Sequence, residues 1–175
     1  MIYIINGLPG TGKTTLSKQI SKEFNIEYIN DWEILKSHNI ENKIGNQSVL
    51  FCKQYQNIIL QYIKEHKNKD IVLDLEYSLH PSTFIDEKLD NFSKMICLGF
   101  ASLNEETLLS LFSNSSANKN IKEKDLINKI NLYKKESLEM QNACDGTNVH
   151  FVDICESRDK ILSEILNLLK EEQNS

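Results

Sequence analysis

Eight residues near the amino terminus restrict the possible fold more than any other feature of the chain. Gly7-Leu8-Pro9-Gly10-Thr11-Gly12-Lys13-Thr14 follows the pattern G-x-x-x-x-G-K-[ST] in full. It comes directly after an apolar run, Met1 to Ile5, that reads as a strand. It leads into a segment in which Leu16, Ile20 and Phe24 recur on one helical face. A strand, a glycine-rich turn and a helix in that order make the opening unit of a parallel α/β sheet. Glycine permits positive φ angles and close backbone approach, so successive N–H groups can curl around an anion while the helix adds the positive end of its dipole. Three of the chain's six glycines fall in this octapeptide at the required spacing, a concentration that an ordinary turn does not call for.

The pattern predicts a bound nucleoside triphosphate. Gly7, Pro9, Gly10, Thr11, Gly12, Lys13, Thr14 and Thr15 form the predicted nucleotide-binding set. Lys13 is placed to bridge the β- and γ-phosphates, and the Thr14 hydroxyl to coordinate Mg²⁺, a hard cation that takes only one or two oxygens from protein. Further along, Ile71-Val72-Leu73-Asp74 is an apolar strand ending in a carboxylate, the arrangement that lets Asp74 reach the same ion through water. Such an Asp also serves as a turn or helix cap, and Glu76, two positions on, is the alternate. After the second apolar strand comes Asn30-Asp31-Trp32. Asp31 is the candidate base for an attacking hydroxyl, or else the N-cap of a short helix from Trp32 to Lys36. Trp32 either stacks on an acceptor or packs in the core.

Five strands are predicted, at Met1 to Ile5, Ile26 to Ile29, Ile71 to Leu75, Met95 to Leu98 and Val149 to Val152. Ile161, Ile165 and Leu169 mark a last amphipathic helix, and two more fit Ser48 to Lys67 and Glu123 to Gln141. Ser102 and Glu105 suggest a capping box opening a helix near Asn104, and Pro81 suits the first turn of a short helix. Turn formers gather at Asn39 to Asn46 and Ser113 to Asn120. The second cluster, SNSSANKN, is a polar run expected to be mobile and to bury nothing, and it reads either as a lid, about residues 113 to 125, or as an ordinary surface loop. No repeat or linker divides the 175 residues, so one domain is expected.

Composition narrows the partners. With 40% hydrophobic and 26% charged residues, and no apolar run near the ~18 residues that cross a bilayer, a soluble cytoplasmic protein is expected, without a membrane partner. A formal charge of -5 argues against long nucleic acids, whose binders carry many cations. Cys52, Cys97, Cys144 and Cys155 show no metal-site or C-x-x-C spacing, which predicts reduced thiols. Arg158 is the only arginine.

Taken together, GLPGTGKTT after the first strand, Asp31 after the second, VLDLE ending the third, a polar lid before IKEKDLINKINLYKK and the closing HFVDICESRDKIL resemble the small P-loop kinases of the adenylate, shikimate and gluconate kinase type. The resemblance implies an α/β, three-layer fold with a five-stranded parallel sheet in order 2-3-1-4-5 and helices on both faces. It implies ATP with Mg²⁺ as the phosphoryl donor, a small-molecule hydroxyl as acceptor, an acceptor-side role for Asp31, and a place near adenine for Asp153 to Arg158. In that family the lid supplies arginines to the transferring phosphoryl group. Here Leu103 to Lys135 contains none, so either Lys119, Lys122 or Lys124 stands in or transfer is slow. The same shortage suggests an acceptor without a phosphate or carboxylate, such as a nucleoside, sugar or hydroxylated antibiotic.

Overall fold

The computed structural model describes residues 1–40, 49–75, 81, 94–113, 118, 121–144, 146 and 148–170, with only the backbone of 49–52. The strands are β1 (Ile2–Gly7), β2 (Glu27–Asn30), β3 (Ile71–Asp74), β4 (Lys94–Gly99) and β5 (Val149–Asp153). The helices are α1 (Lys13–Phe24), α2 (Asp31–Ser37), α3 (Val49–Glu65), α4 (Glu105–Ser113), α5 (Glu123–Ala143) and α6 (Arg158–Lys170). All five strands pair in parallel, in the order β2-β3-β1-β4-β5. This is the predicted sheet.

Helices cover both faces, which is why the strands are almost continuously apolar. Tyr3, Ile5, Val72, Ile96, Leu98 and Val152 point to the side where α1 contributes Leu16 and Ile20, and α6 contributes Ile161, Ile165 and Leu169. The alternate residues Ile2, Ile4, Ile71, Leu73, Met95 and Val149 face α2, α3, α4 and α5. Where α5 crosses β4 the approach is close: a Cβ on Gly99 would lie 2.8 Å from the Phe151 ring and 3.0 Å from Ser137 Oγ. Ser137 Oγ accepts from the Phe100 N–H and donates to the Tyr133 carbonyl, stitching helix to strand end.

Two local expectations change. Helix α4 is opened by Asn104, whose side chain accepts from the Thr107 N–H at 2.8 Å. Ser102 instead donates its backbone N–H to Asp153 Oδ2, tying the ends of β4 and β5 together. The polar run 113–120 does bury a residue. Asn118 is 5% exposed because its amide is satisfied on both sides, donating to the Phe112 carbonyl and accepting from Lys129 Nζ. Pro81 is helical and buried, whereas 41–46, 76–80, 114–117 and 119–120 lie outside the described residues. Among the described residues no helix is long and apolar enough to cross a membrane.

Candidate active site

The carboxyl ends of parallel strands are where ligands of open α/β sheets gather, and the marked residues fall there. Gly7 ends β1 against β4: a Cβ would lie 2.5 Å from the Leu98 carbonyl oxygen and 2.8 Å from Leu98 Cβ, so only glycine fits. The turn is closed by Leu8 N–H donating to the Leu98 carbonyl. The Leu8 carbonyl in turn accepts from Thr11 Oγ1 at 2.8 Å and Lys13 Nζ at 3.2 Å. Gly12 then enters α1 at φ +84, a left-handed conformation that side chains other than glycine rarely adopt.

Helix α1 starts without a side-chain cap and without an acidic residue in its first turn. In contrast, α2, α4, α5 and α6 each carry Asp or Glu there. No side chain of its own first turn therefore offsets the positive end of the α1 dipole, an arrangement that suits an anion. Lys13 is buried in the turn, while Thr14 and Thr15 are exposed. Two groups from distant elements press on the loop: the Phe112 ring lies 3.2 Å from where a Gly10 Cβ would be, and the Arg158 guanidinium 3.8 Å from where a Gly12 Cβ would be.

One strand over, Asp74 pairs with Ile5 and sits in the sheet 1% exposed. Its Oδ2 accepts from Tyr28 Oη at 3.0 Å. Its Oδ1 is buried with no hydrogen-bond partner among the described residues. A buried carboxylate oxygen left so is costly unless a cation or its water takes it. Together with the Thr14 hydroxyl, this hard-oxygen set fits Mg²⁺. Burial pushes the Tyr28 phenol up to about 12, against hydrogen bonding from Asn30 that lowers it and the Asp74 charge that raises it again.

At the end of β2, Asn30 is the N-cap of α2: its Oδ1 accepts from the Trp32 N–H at 2.8 Å. Asp31, which the sequence left between base and cap, is therefore not the cap. It is fully buried in the first turn of α2, and its Oδ2 accepts from Tyr55 Oη of α3 at 2.8 Å. Trp32 is half-buried against the core.

The geometry can be compared with known proteins. No protein-family model matches the chain. A curated protein of Thermococcus onnurineus (strain NA1), named "Putative adenylate kinase", is 28% identical over 74 residues, a stretch spanning 42% of this chain and 39% of that protein. Among solved structures, shikimate kinase from Bacteroides thetaiotaomicron superposes with a TM-score of 0.65 at 16% identity, covering 97% of this chain and 98% of that one. A gluconokinase from Sinorhizobium meliloti 1021 gives 0.61 at 13% identity, covering 98% and 93%. The chain has the small P-loop kinase fold.

Within that fold the P-loop residues Gly7 to Thr15, Asp74, Asp31 and Arg158 all lie at the carboxyl side of the sheet, on β1, β3, β2 and α6 or the segments that follow the strands. Lys119 lies outside the described residues, as do Glu76 and Tyr77, while Lys122 and Lys124 are exposed at the start of α5. Lys129 is engaged with Asn118 and lies 5.7 Å over the Tyr133 ring. Sequence reasoning missed Tyr28, Tyr55 and Phe112. The first two are single polar tips in otherwise apolar periodic runs, a signal that marks any buried tyrosine and names no partner. Cys97, Cys144 and Cys155 are not in disulfides, and a hydrogen bond with Cys144 together with burial raises the Cys97 thiol well above its usual range.

Proposed function

We propose that this chain is an ATP-dependent phosphotransferase that moves the γ-phosphoryl group to a hydroxyl of a small molecule. The observation that carries the reading is the convergence of an uncapped P-loop helix with Asp74 and Asp31 on three neighbouring strands, β1, β3 and β2. In this reading the P-loop N–H groups and Lys13 hold the β- and γ-phosphates, and Arg158 lies against the nucleotide beside Gly12. Thr14 and Asp74 hold Mg²⁺, which when bound spreads the phosphate charge and fixes the phosphates for in-line attack. The acceptor oxygen forms its bond to the γ-phosphorus as the bond to the β–γ bridging oxygen breaks. Asp31 takes the hydroxyl proton, and ADP departs. Because Asp31 is fully buried, acceptor entry must open the crevice around it. Catalysis is then mostly positioning and charge stabilisation. Lys119, Lys122 or Lys124 supplies lid charge in place of arginine. The expected setting is the cytosol.

The acceptor class follows from where the only arginine stands. Arg158 is beside the P-loop, so no guanidinium is left to grip an acceptor's phosphate or carboxylate. An uncharged or cationic alcohol, such as a nucleoside, a sugar or a hydroxylated antibiotic, suits that arrangement. The partial match to a protein named for adenylate kinase favours a second reading, a nucleotide kinase whose acceptor is a phosphate. Turnover of nucleosides compared with their 5′-monophosphates separates the two, and preference for monophosphates would overturn the first. Lys13→Ala should remove most ATP affinity in calorimetry. Unchanged affinity would defeat both readings and leave only the fold.

A further inference from the structure

Tyr28 lies on β2, opposite Val72 of β3, with Asn30 opposite Asp74. Its side chain leaves the sheet on the face covered by α1 and α6. Lys18 of α1 lies 5.4 Å over its ring, so Tyr28 is seated beneath the helix whose first turn carries Thr14. From there its hydroxyl reaches forward along β3 to Asp74 Oδ2. A phenylalanine would fill the same space, so the hydroxyl's distinct contribution is this one hydrogen bond. The other carboxylate oxygen, Oδ1, is buried and has no partner among the described residues.

Resting on the kinase reading above, we propose that Tyr28 is a positioning residue that anchors one oxygen of Asp74 and thereby leaves Oδ1 as the oxygen offered to the nucleotide's metal ion. The terminal torsion of an Asp side chain is broad and nearly two-fold, so a free carboxylate samples many orientations. A hydrogen bond to one oxygen narrows that range before the ion arrives. Partners of this kind typically change metal affinity by about 10- to 100-fold. An ion reached through water lies at the lower end, about tenfold. Asn30, opposite Asp74 in the strand pairing, also caps α2, so the acceptor-side helix starts beside the metal-side carboxylate.

The test is calorimetry of a non-hydrolysable ATP analogue, with and without Mg²⁺, on the full chain as wild type, Tyr28→Phe, Asp74→Asn and the double variant. Tyr28→Phe should keep the metal-free affinity and lose about tenfold of the magnesium enhancement. In the Asp74→Asn background it should have no further effect. With Mn²⁺ in place of Mg²⁺, the electron paramagnetic spectrum of the bound ion should broaden in Tyr28→Phe. An unchanged magnesium enhancement in Tyr28→Phe overturns the inference, as does an equal loss in the Asp74→Asn background or in metal-free affinity, either of which indicates packing alone. A wild type without magnesium-linked affinity overturns the kinase reading itself, and the inference with it.

Discussion

Removing the Tyr55 hydroxyl should weaken the fold through one carboxylate. Tyr55 is 2% exposed and Asp31 fully buried, and the hydroxyl donates to Asp31 Oδ2 at 2.8 Å. Tyr55→Phe keeps the ring and opens no sizeable cavity, so the change reports on the hydrogen bond. A bond to a charged group contributes about 1.5–3 kcal/mol net. Loss of roughly 2 kcal/mol is expected, and for a chain of this size that lowers Tm by about 4–8 °C. Asp31→Asn retains shape but removes the charge, and in that background Tyr55→Phe should cost only about 1 kcal/mol. The coupling in the cycle is then about 1 kcal/mol. Urea unfolding followed by Trp32 fluorescence and far-ultraviolet circular dichroism measures all four variants. The reasoning fails if Tyr55→Phe lies within about 0.5 kcal/mol of the wild type, or if its cost is equal in the Asp31→Asn background.

Gly7→Ala and Gly146→Ala both place a side chain at positive φ, but only the first meets backbone, at Leu98, while the second meets nothing within 4 Å. Denaturant unfolding should show about 1 kcal/mol lost at Gly146, and about 2–4 kcal/mol more at Gly7 from overpacking and the displaced strand; equal losses would show that Leu98 yields freely. Arg158→Ala should weaken ATP-analogue binding about tenfold, the size of one charge-assisted contact, without shifting the unfolding midpoint, because the side chain is exposed. An unaltered dissociation constant would remove Arg158 from the nucleotide site.

Much of this molecule is written in local pattern. The G-x-x-x-x-G-K-[ST] octapeptide, the apolar strands and the four-residue recurrence of Leu16, Ile20 and Phe24 or Ile161, Ile165 and Leu169 determined strands, helices and buried faces. Each depends on neighbours a few positions apart. The resemblance those motifs carry supplied the sheet order and the positions of Asp31 and Asp74 at strand ends. Which side chains meet was decided only in three dimensions. Asn30 rather than Asp31 caps α2, Tyr55 finds Asp31 from another helix, Tyr28 reaches Asp74 on the neighbouring strand, and Arg158 comes to rest beside Gly12. Asn118 became buried inside a run that reads as fully solvated, because Phe112 and Lys129 satisfy its amide. Such pairings depend on strand register and helix docking, which sum contributions from the whole chain, so no window of sequence contains them.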